Sequence, residues 1–175
     1  GQCYAGANNA ETPCDFTYTG IKNDTTRNMI ADAKWSLLGW LDEGVNVYAD
    51  QSYKLENTSG TVYTGNKTSW TGKIALPYPS DYAYSAYLGK CTSTLGEYSN
   101  CSSWMKTMFN SKTIALLTPI VSSSFVFHVA GGCLDLGEPY AALDSEIFPT
   151  FYLNANVSIK TGSGTLNSPY QLSVG

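Results

Sequence analysis

The sequence has one histidine, one arginine and few charges of either sign. Charged residues make up 14% of its 175 residues, and ten lysine and arginine side chains against fourteen acids give a net charge of −4. Because Arg27 is the only arginine, no basic stripe can follow a phosphate backbone, which excludes nucleic acid as a partner. No apolar run approaches the roughly 20 residues of a membrane-spanning helix. We therefore expect membrane contact only through a segment outside this chain.

Hydroxyl groups are abundant instead. Nineteen serines, eighteen threonines and thirteen tyrosines predict a neutral surface that is rich in hydroxyl groups. A chain of 18.9 kDa is long enough for one domain with its own core and too short for two ordinary ones. We expect residues 1–175 to form a single domain.

The five cysteines suggest a compartment. Cys3 and Cys14 lie eleven positions apart, and Cys91 and Cys101 lie ten apart, with turn-forming residues inside each interval. The chain has no CxxC pair, which disfavours a zinc site. Two local disulfides are the better interpretation, and they place the domain outside the reducing cytosol. Cys133, beside small and apolar residues, is expected to be a buried, inert thiol.

The first part of the chain predicts an arm and a helix. Residues 1–20 are rich in turn formers and are expected to form an irregular arm pinned by the first disulfide. From Asp24 onward, apolar residues recur at three-and-four spacing, which predicts one longer amphipathic helix ending near Gly44. Gly39 costs such a helix about 1 kcal/mol relative to alanine. The alternative is that the second half of this segment is a strand.

Short β-branched and aromatic runs occupy much of the remainder and predict many short strands. The segments at 114–117 and 125–130 are apolar on both faces, so we expect them to be central strands. Ser102 is expected to cap a short helix. One longer helix followed by many strands predicts an α+β domain. The other predicted strands are residues 45–53, 61–63, 73–78, 140–143, 151–153 and 157–159.

Groups suited to catalysis are scarce. His128 lies in an apolar strand pattern, where a core position is more common than a catalytic one. Asp81 is hemmed by aromatic residues and could serve as an acid in glycoside hydrolysis, but a turn or cap position is favoured. The chain lacks a GxSxG elbow and a phosphate-binding loop. We expect no enzymatic activity.

An acidic segment offers the only candidate for a cofactor. Asp135, Glu138, Asp144 and Glu146 fall within twelve positions, and calcium prefers oxygen ligands of this kind. The segment lacks the DxDxDG spacing of an EF-hand loop. A solvated acidic loop is the favoured interpretation, with calcium as the alternative.

One eighteen-residue stretch concentrates aromatic side chains that fit either a core or a sugar-binding surface. We expect most of these rings to be core residues and one or two to be exposed. They are Trp70, Tyr78, Tyr82, Tyr84 and Tyr87.

Several segments together resemble an uncharacterised domain of Gram-positive (Firmicutes) surface and prepilin-like proteins. Residues 70–84 resemble its W-x-G-K-x-A-L-M-Y-P-S-D-Y-G-Y motif, and residues 147–157 resemble its G-V-R-P-V-L-Y-L-K-S-N-V motif. The resemblance covers residues 29–172. Phe148 stands where the family has arginine, and Pro77 where it has methionine. The shorter matching segments are residues 91–101, 103–105, 117–119, 125–129 and 164–172.

The resemblance implies a function and an architecture. It implies an extracellular, cell-surface domain that is similar to pilin-like filament proteins and acts in assembly or adhesion, with copies of itself or other surface proteins as partners. The family's ending resembles the last strand of C-type-lectin-like domains, which implies that fold by analogy. The alternative function is a lectin-like module that binds glycans.

Overall fold

The structure is a computed structural model that describes residues 24–41, 46–62, 64–87, 91–109, 112–121, 126–137, 147–165 and 167–175. It is a mixed α+β structure with short helices and small antiparallel sheets. None of the helices in these residues is long and apolar enough to cross a membrane. The helices are α1 (Asp24–Met29), α2 (Ala49–Lys54), a π-helical turn (Leu55–Ser59), α3 (Pro79–Tyr84), a 3-10 helix (Leu95–Asn100) and α4 (Trp104–Phe109). The strands are β1 (Ala33–Ser36), β2 (Ser69–Gly72), β3 (Ile114–Pro119), β4 (Val126–Ala130), β5 (Cys133–Gly137), β6 (Val157–Thr161) and β7 (Gln171–Val174).

The largest sheet is antiparallel, with β4 between β3 and β5. A two-residue turn joins β4 to β5, because Ala130 pairs with Cys133. Gly131 and Gly132 form this turn with φ angles of 58° and 84°. Positive φ at both central positions suits the twist of a tight hairpin and favours glycine.

The core packs between this sheet and the helices. Trp40 stacks on Phe127 with ring centroids 4.4 Å apart. Tyr82 is fully buried, and its hydroxyl donates to the Gly132 carbonyl oxygen at 2.8 Å, so α3 is held against the β4–β5 turn. Other buried members of this core are Ala83, Ala86, Leu95, Tyr98, Met105, Ile114, Leu116, Ile120, Val129 and Leu134.

The other two sheets are strand pairs. β1 pairs with β2, with Trp35 opposite Trp70. β6 pairs with β7 in a hairpin whose outer edges have no strand partner among the described residues. Backbone contacts tie the segment before β6 to the first part of the chain, since Ala31 N donates to Tyr152 O at 2.9 Å and Asn154 N to Met29 O at 2.8 Å.

The prediction of a longer N-terminal helix is wrong. The helix α1 has six residues, and β1 follows it within the segment expected to be helical. A Cβ on Gly39 would lie 1.9 Å from the Pro119 carbonyl oxygen, and Gly39 pairs with Thr61. The chain here is extended because it pairs with β2 and approaches the β3 backbone. The predicted alternative, a strand in the second half, is closer to the structure.

The prediction of a strand at residues 45–53 is also wrong, because α2 begins at Ala49. Gln51 Oε1 accepts from the Tyr48 N–H at 2.9 Å, which satisfies a donor at the start of the helix. Three other predicted strands, 61–63, 73–78 and 151–153, contain only isolated bridges among the described residues, and 140–143 lies outside these residues. The bridges join Thr61 to Gly39, Ala75 to Thr150 and Leu153 to Ile30.

The predictions of strands near 114–117, 125–130 and 157–159 and of a helix after Cys101 are confirmed by β3, β4, β6 and α4. β4 is central in its sheet as expected, whereas β3 lies at the edge. The capping residue differs from the expected Ser102. Ser103 Oγ accepts from the Lys106 N–H at 3.1 Å, three residues into the helix.

Ser103→Ala is expected to lower the free energy of unfolding by about 1–2 kcal/mol, because a helix cap is lost and the buried Ser85 hydroxyl loses one of its two partners. Urea denaturation measures the change. Ser102→Ala is the matched control, since Ser102 is exposed, and should change the value by less than about 0.5 kcal/mol. Equal effects of the two substitutions would contradict the assignment of the cap.

Candidate functional site

A groove with a volume of about 700 Å³ lies where four segments of the chain meet. This size is within the range that accommodates small ligands. We call it the Trp104 groove. Its lining residues are Ser85, Tyr87, Ser99, Asn100, Cys101, Ser102, Ser103, Trp104, Lys106, Thr107, Lys112, Val129, Gly131 and Gly132.

Two exposed aromatic residues line the Trp104 groove. Tyr87 is 66% exposed and Trp104 is 63% exposed. The two chain segments that carry these residues are paired, since Tyr87 N donates to Ser102 O at 3.3 Å and Ala86 pairs with Ser103. Large rings left in water beside hydroxyl groups are typical of surfaces that stack on flat ligands.

Two lysines also line the groove. Lys106 Nζ donates to the Ser99 carbonyl oxygen. The stem of Lys106 packs closely over the turn, because a Cβ on Gly132 would lie 2.8 Å from Lys106 Cε. Lys112 lies just before β3 and is exposed. Among the described residues that line the groove there is no carboxylate.

A disulfide and several hydrogen bonds stabilise the walls of the Trp104 groove. Cys91 and Cys101 are joined by a disulfide, with their Cα atoms 5.4 Å apart, so the 3-10 helix lies within a closed loop. The buried Ser85 and Ser103 hydroxyls are hydrogen-bonded to each other, and Ser85 Oγ also donates to Tyr82 O at 2.6 Å. These contacts fix the wall that Cys101 and Ser103 share.

A second polar centre is the buried carboxylate of Glu56. Its side chain is fully buried in the π-helical turn. Oε1 accepts from Ser52 Oγ at 2.7 Å and from the Ser80 N–H at 3.0 Å, and Oε2 accepts from Ser80 Oγ. Desolvation raises the pKa of Glu56 to about 7, against the lowering effect of these hydrogen bonds. The carboxylate joins α2 to α3 and is closed to solvent, so its role is structural.

Hydrogen bonds around Glu56 connect further elements. Asp81 accepts from the Tyr78 N–H at 2.9 Å, and burial raises the pKa of its carboxyl group. Tyr78 donates its hydroxyl to Ser36 O at 3.0 Å. Desolvation raises the pKa of the Tyr78 phenol well above its ordinary value. This network couples β1 to the start of α3.

The predicted cysteine pairs lie partly within the described residues. Cys91 and Cys101 form the disulfide already described. Cys3 and Cys14 lie outside the described residues, as does the arm at 1–20. Cys133 has an unbonded thiol and is half-buried at the start of β5, rather than buried as expected.

Only Asp135 of the acidic segment lies within the described residues, so the structure does not test the segment as a calcium site. Among the described residues, no three His, Cys, Asp or Glu side chains cluster. Asp135 is exposed on β5, opposite His128 of β4. Glu138, Asp144 and Glu146, the other calcium candidates, lie outside the described residues. His128 is buried as expected, and desolvation lowers its pKa.

The aromatic stretch divides between core and surface. Tyr82 is fully buried, Trp70 and Tyr78 are half-buried, and Tyr84 and Tyr87 are exposed. The expectation of one or two exposed rings is confirmed, whereas the expectation that most of the five are core residues is met only by Tyr82.

Asp81 caps α3 through the Tyr78 N–H, so the favoured cap interpretation is confirmed too. No sequence pattern singles out Glu56, Lys106 or Lys112. The spacing of Ser52 and Glu56, four residues apart, is the one signal that could have indicated a shared helix face.

Comparison with known proteins adds no relative. No protein-family model matches the chain, and neither a curated protein nor a solved structure gives a match.

Proposed function

We propose that the chain is a non-enzymatic, extracellular domain of a bacterial surface or pilin-like filament protein, acting in assembly with copies of itself and in adhesion. The proposal rests mainly on an exposed aliphatic face of the β6–β7 hairpin. The Cys91–Cys101 disulfide supports an oxidising compartment. The resemblance of residues 29–172 to surface proteins supports the class, and the C-type-lectin-like architecture is part of this proposal.

The register of the hairpin defines the aliphatic face. Val157 pairs with Val174 and Ile159 pairs with Leu172, and directly opposed residues share a face. Ile159 is 58% exposed and Val174 is 51% exposed. The other face carries Ser158 and its partner on β7, whose hydroxyls lie 3.1 Å apart.

An exposed aliphatic face beside open strand edges favours pairing with a second chain. Unpaired edges present backbone donors and acceptors to another strand, and covering the face removes apolar surface from water. β6 and β7 each have one such edge among the described residues. A second copy of the hairpin offers a matching surface, which supports self-association.

Ile159→Lys is expected to weaken self-association at least about tenfold, because it places a charge on the aliphatic face. Sedimentation of the isolated chain over a wide concentration range measures the effect. Ser158→Lys, on the opposite face, is the matched control and should leave the association constant within about twofold. A chain that stays monomeric at about 1 mM would contradict the assembly proposal.

Electron microscopy of native cell-surface material tests the filament part separately. Filaments labelled by antibodies against this domain are the expected result. Full-length protein found only as a secreted monomer would overturn the filament proposal.

A second candidate function is the lectin-like binding of glycans, favoured by the Trp104 groove. Its exposed rings and hydroxyl groups are the groups with which proteins bind sugars. A glycan array, probed with and without a chelator, tests both binding and any role of calcium at the acidic segment. A lack of binding to every glycan on the array would contradict this function.

A further inference from the structure

We propose that the Trp104 groove binds a saccharide that carries a carboxylate. The inference deepens the glycan-binding candidate above and rests on it. It names the chemical class of the ligand and the side chains that would recognise it.

The two exposed rings offer stacking surfaces for a sugar. A pyranose presents a face of C–H groups, which packs favourably on the face of an aromatic ring. Tyr87 and Trp104 both line the groove and are each about two-thirds exposed. Two rings beside one groove fit a ligand of one or two sugar units.

The polar groups of the groove suit sugar hydroxyls. The side chains of Ser99, Asn100, Ser102 and Thr107 line it and are exposed. Hydroxyl and amide groups both donate and accept hydrogen bonds, as each hydroxyl of a sugar does. Neutral pairing of this kind fixes the orientation of a ligand.

The charge of the groove is opposite to that of the protein. The whole chain carries a net charge of −4 with only ten cations, yet two of these cations, Lys106 and Lys112, line this one groove. No carboxylate lines it among the described residues. A cationic groove on an acidic protein favours an anionic ligand and disfavours a cationic one.

Part of the groove is held in place by contacts within the protein. The Cys91–Cys101 disulfide closes the loop that carries Ser99 and Asn100. Lys106 is held by the Ser99 carbonyl oxygen and packs over Gly132. Fixed groups lose little conformational entropy on binding, so a small ligand can be bound by few contacts.

Isothermal titration of the chain with 3′-sialyllactose and with digalacturonate tests the inference, and lactose serves as the neutral probe. Both acids carry the carboxylate, and their separate affinities distinguish a host-type glycan from a plant-type one. We expect at least one acid to bind at least about tenfold more tightly than lactose, with an affinity that falls as salt is added.

Substitutions locate the site. Trp104→Ala and Tyr87→Ala should each weaken acid binding about tenfold, and Lys112→Gln about threefold or more. The matched controls lie on the β6–β7 hairpin and the segment before β7, where Lys160 and Tyr170 are also exposed. Lys160→Gln and Tyr170→Ala should leave the dissociation constant within about twofold.

Each result tests a different part of the proposal: the charge preference, the position of the site or glycan binding itself. Lactose binding as tightly as the acids would overturn the charge preference and leave glycan binding standing. Native affinity in Trp104→Ala would overturn the groove as the site. A lack of binding of either acid at about 20 mM would overturn the inference. If no glycan on the array bound either, the glycan-binding function would be overturned as well.

Discussion

Glu56→Gln is expected to raise the free energy of unfolding by about 3 kcal/mol at pH 8 and to change it little near pH 4. Burial raises the pKa of Glu56 from 4.5 to about 7. Between these two values the folded chain holds a proton that the unfolded chain has released. The buried carboxylate is therefore a growing cost to stability as the pH rises.

The direction of this change in stability with pH follows from the number of protons that the folded and unfolded states bind. Where the folded state binds more protons than the unfolded state, the free energy of unfolding falls with rising pH. For Glu56 the fall begins near pH 4.5 and levels off above pH 7. Glutamine is neutral at every pH, so the variant does not share this loss.

Glutamine also fits the hydrogen bonds of the site. Its carbonyl oxygen can accept from the Ser52 hydroxyl and from the Ser80 N–H, as Glu56 Oε1 does. Its amide group can donate to Ser80 Oγ, whose hydroxyl then changes from donor to acceptor. The Ser80 hydroxyl proton then loses its Glu56 acceptor, which adds a cost that does not depend on pH. The change of the difference with pH therefore isolates the charge.

Urea denaturation at intervals from pH 4 to pH 8 measures the difference between the variant and the natural chain. Contributions from other titrating groups are present in both proteins and cancel in this difference. Glu97→Gln, in the exposed part of the 3-10 helix, is the matched control for the change of residue type and should alter the free energy of unfolding by less than about 0.5 kcal/mol. A difference for Glu56→Gln that does not change with pH would contradict the raised pKa.

Hydrophobic patterning predicted β3 and β4 because both segments are continuous apolar runs. β3 buries alternate residues, Ile114, Leu116 and Thr118, whereas β4 buries the consecutive residues 127–129. The same patterning was misleading in the segment from Asp24 to near Gly44, where it predicted one longer helix. The apolar spacing there fits a helix, and the close approach of Gly39 to Pro119, which requires extended chain, is a tertiary contact.

Burial of polar groups accounts for the error at residues 45–53. The helix α2 buries Ser52, and the π-helical turn after it buries Glu56. A period counted on apolar residues cannot detect such a face. The pairing of these groups with Ser80, twenty-four positions after Glu56, exists only in the folded chain.

The Trp104 groove could be predicted only in parts. The spacing of Cys91 and Cys101 indicated the closed loop, whereas the turn at Gly131 and Gly132 was not predicted. Their convergence on Trp104 depends on how α4 packs beside the β4–β5 turn. Lys106 illustrates the limit, because only the fold places its stem over Gly132.

Trp35→Ala is expected to lower the free energy of unfolding by about 3–5 kcal/mol. Trp35 is 1% exposed, and its ring stacks on that of Tyr152 with centroids 5.1 Å apart. Its Nε1 donates to the Gly72 carbonyl oxygen at 2.8 Å. The substitution removes a large buried side chain and leaves both a cavity and an acceptor without its donor.

Hydrogen exchange shows which part of the protein is destabilised by Trp35→Ala. Trp35 connects the β1–β2 pair to the segment that contains Tyr152, so the N–H groups of Ala31 and Asn154, which bridge these parts, should exchange faster than in the natural chain. The N–H groups within the β3–β4–β5 sheet are expected to keep most of their protection, because Trp35 is not part of the core cluster beside that sheet.

Trp104→Ala provides the matched control, since it removes the same side chain from a position that is 63% exposed. Little apolar area is buried there, so the free energy of unfolding should change by less than about 1 kcal/mol. A similar loss in both variants would show that the residue type, rather than its burial, decides the effect. Uniform loss of protection with Trp35→Ala, including the β3–β4–β5 sheet, would instead show that the two parts of the chain open together.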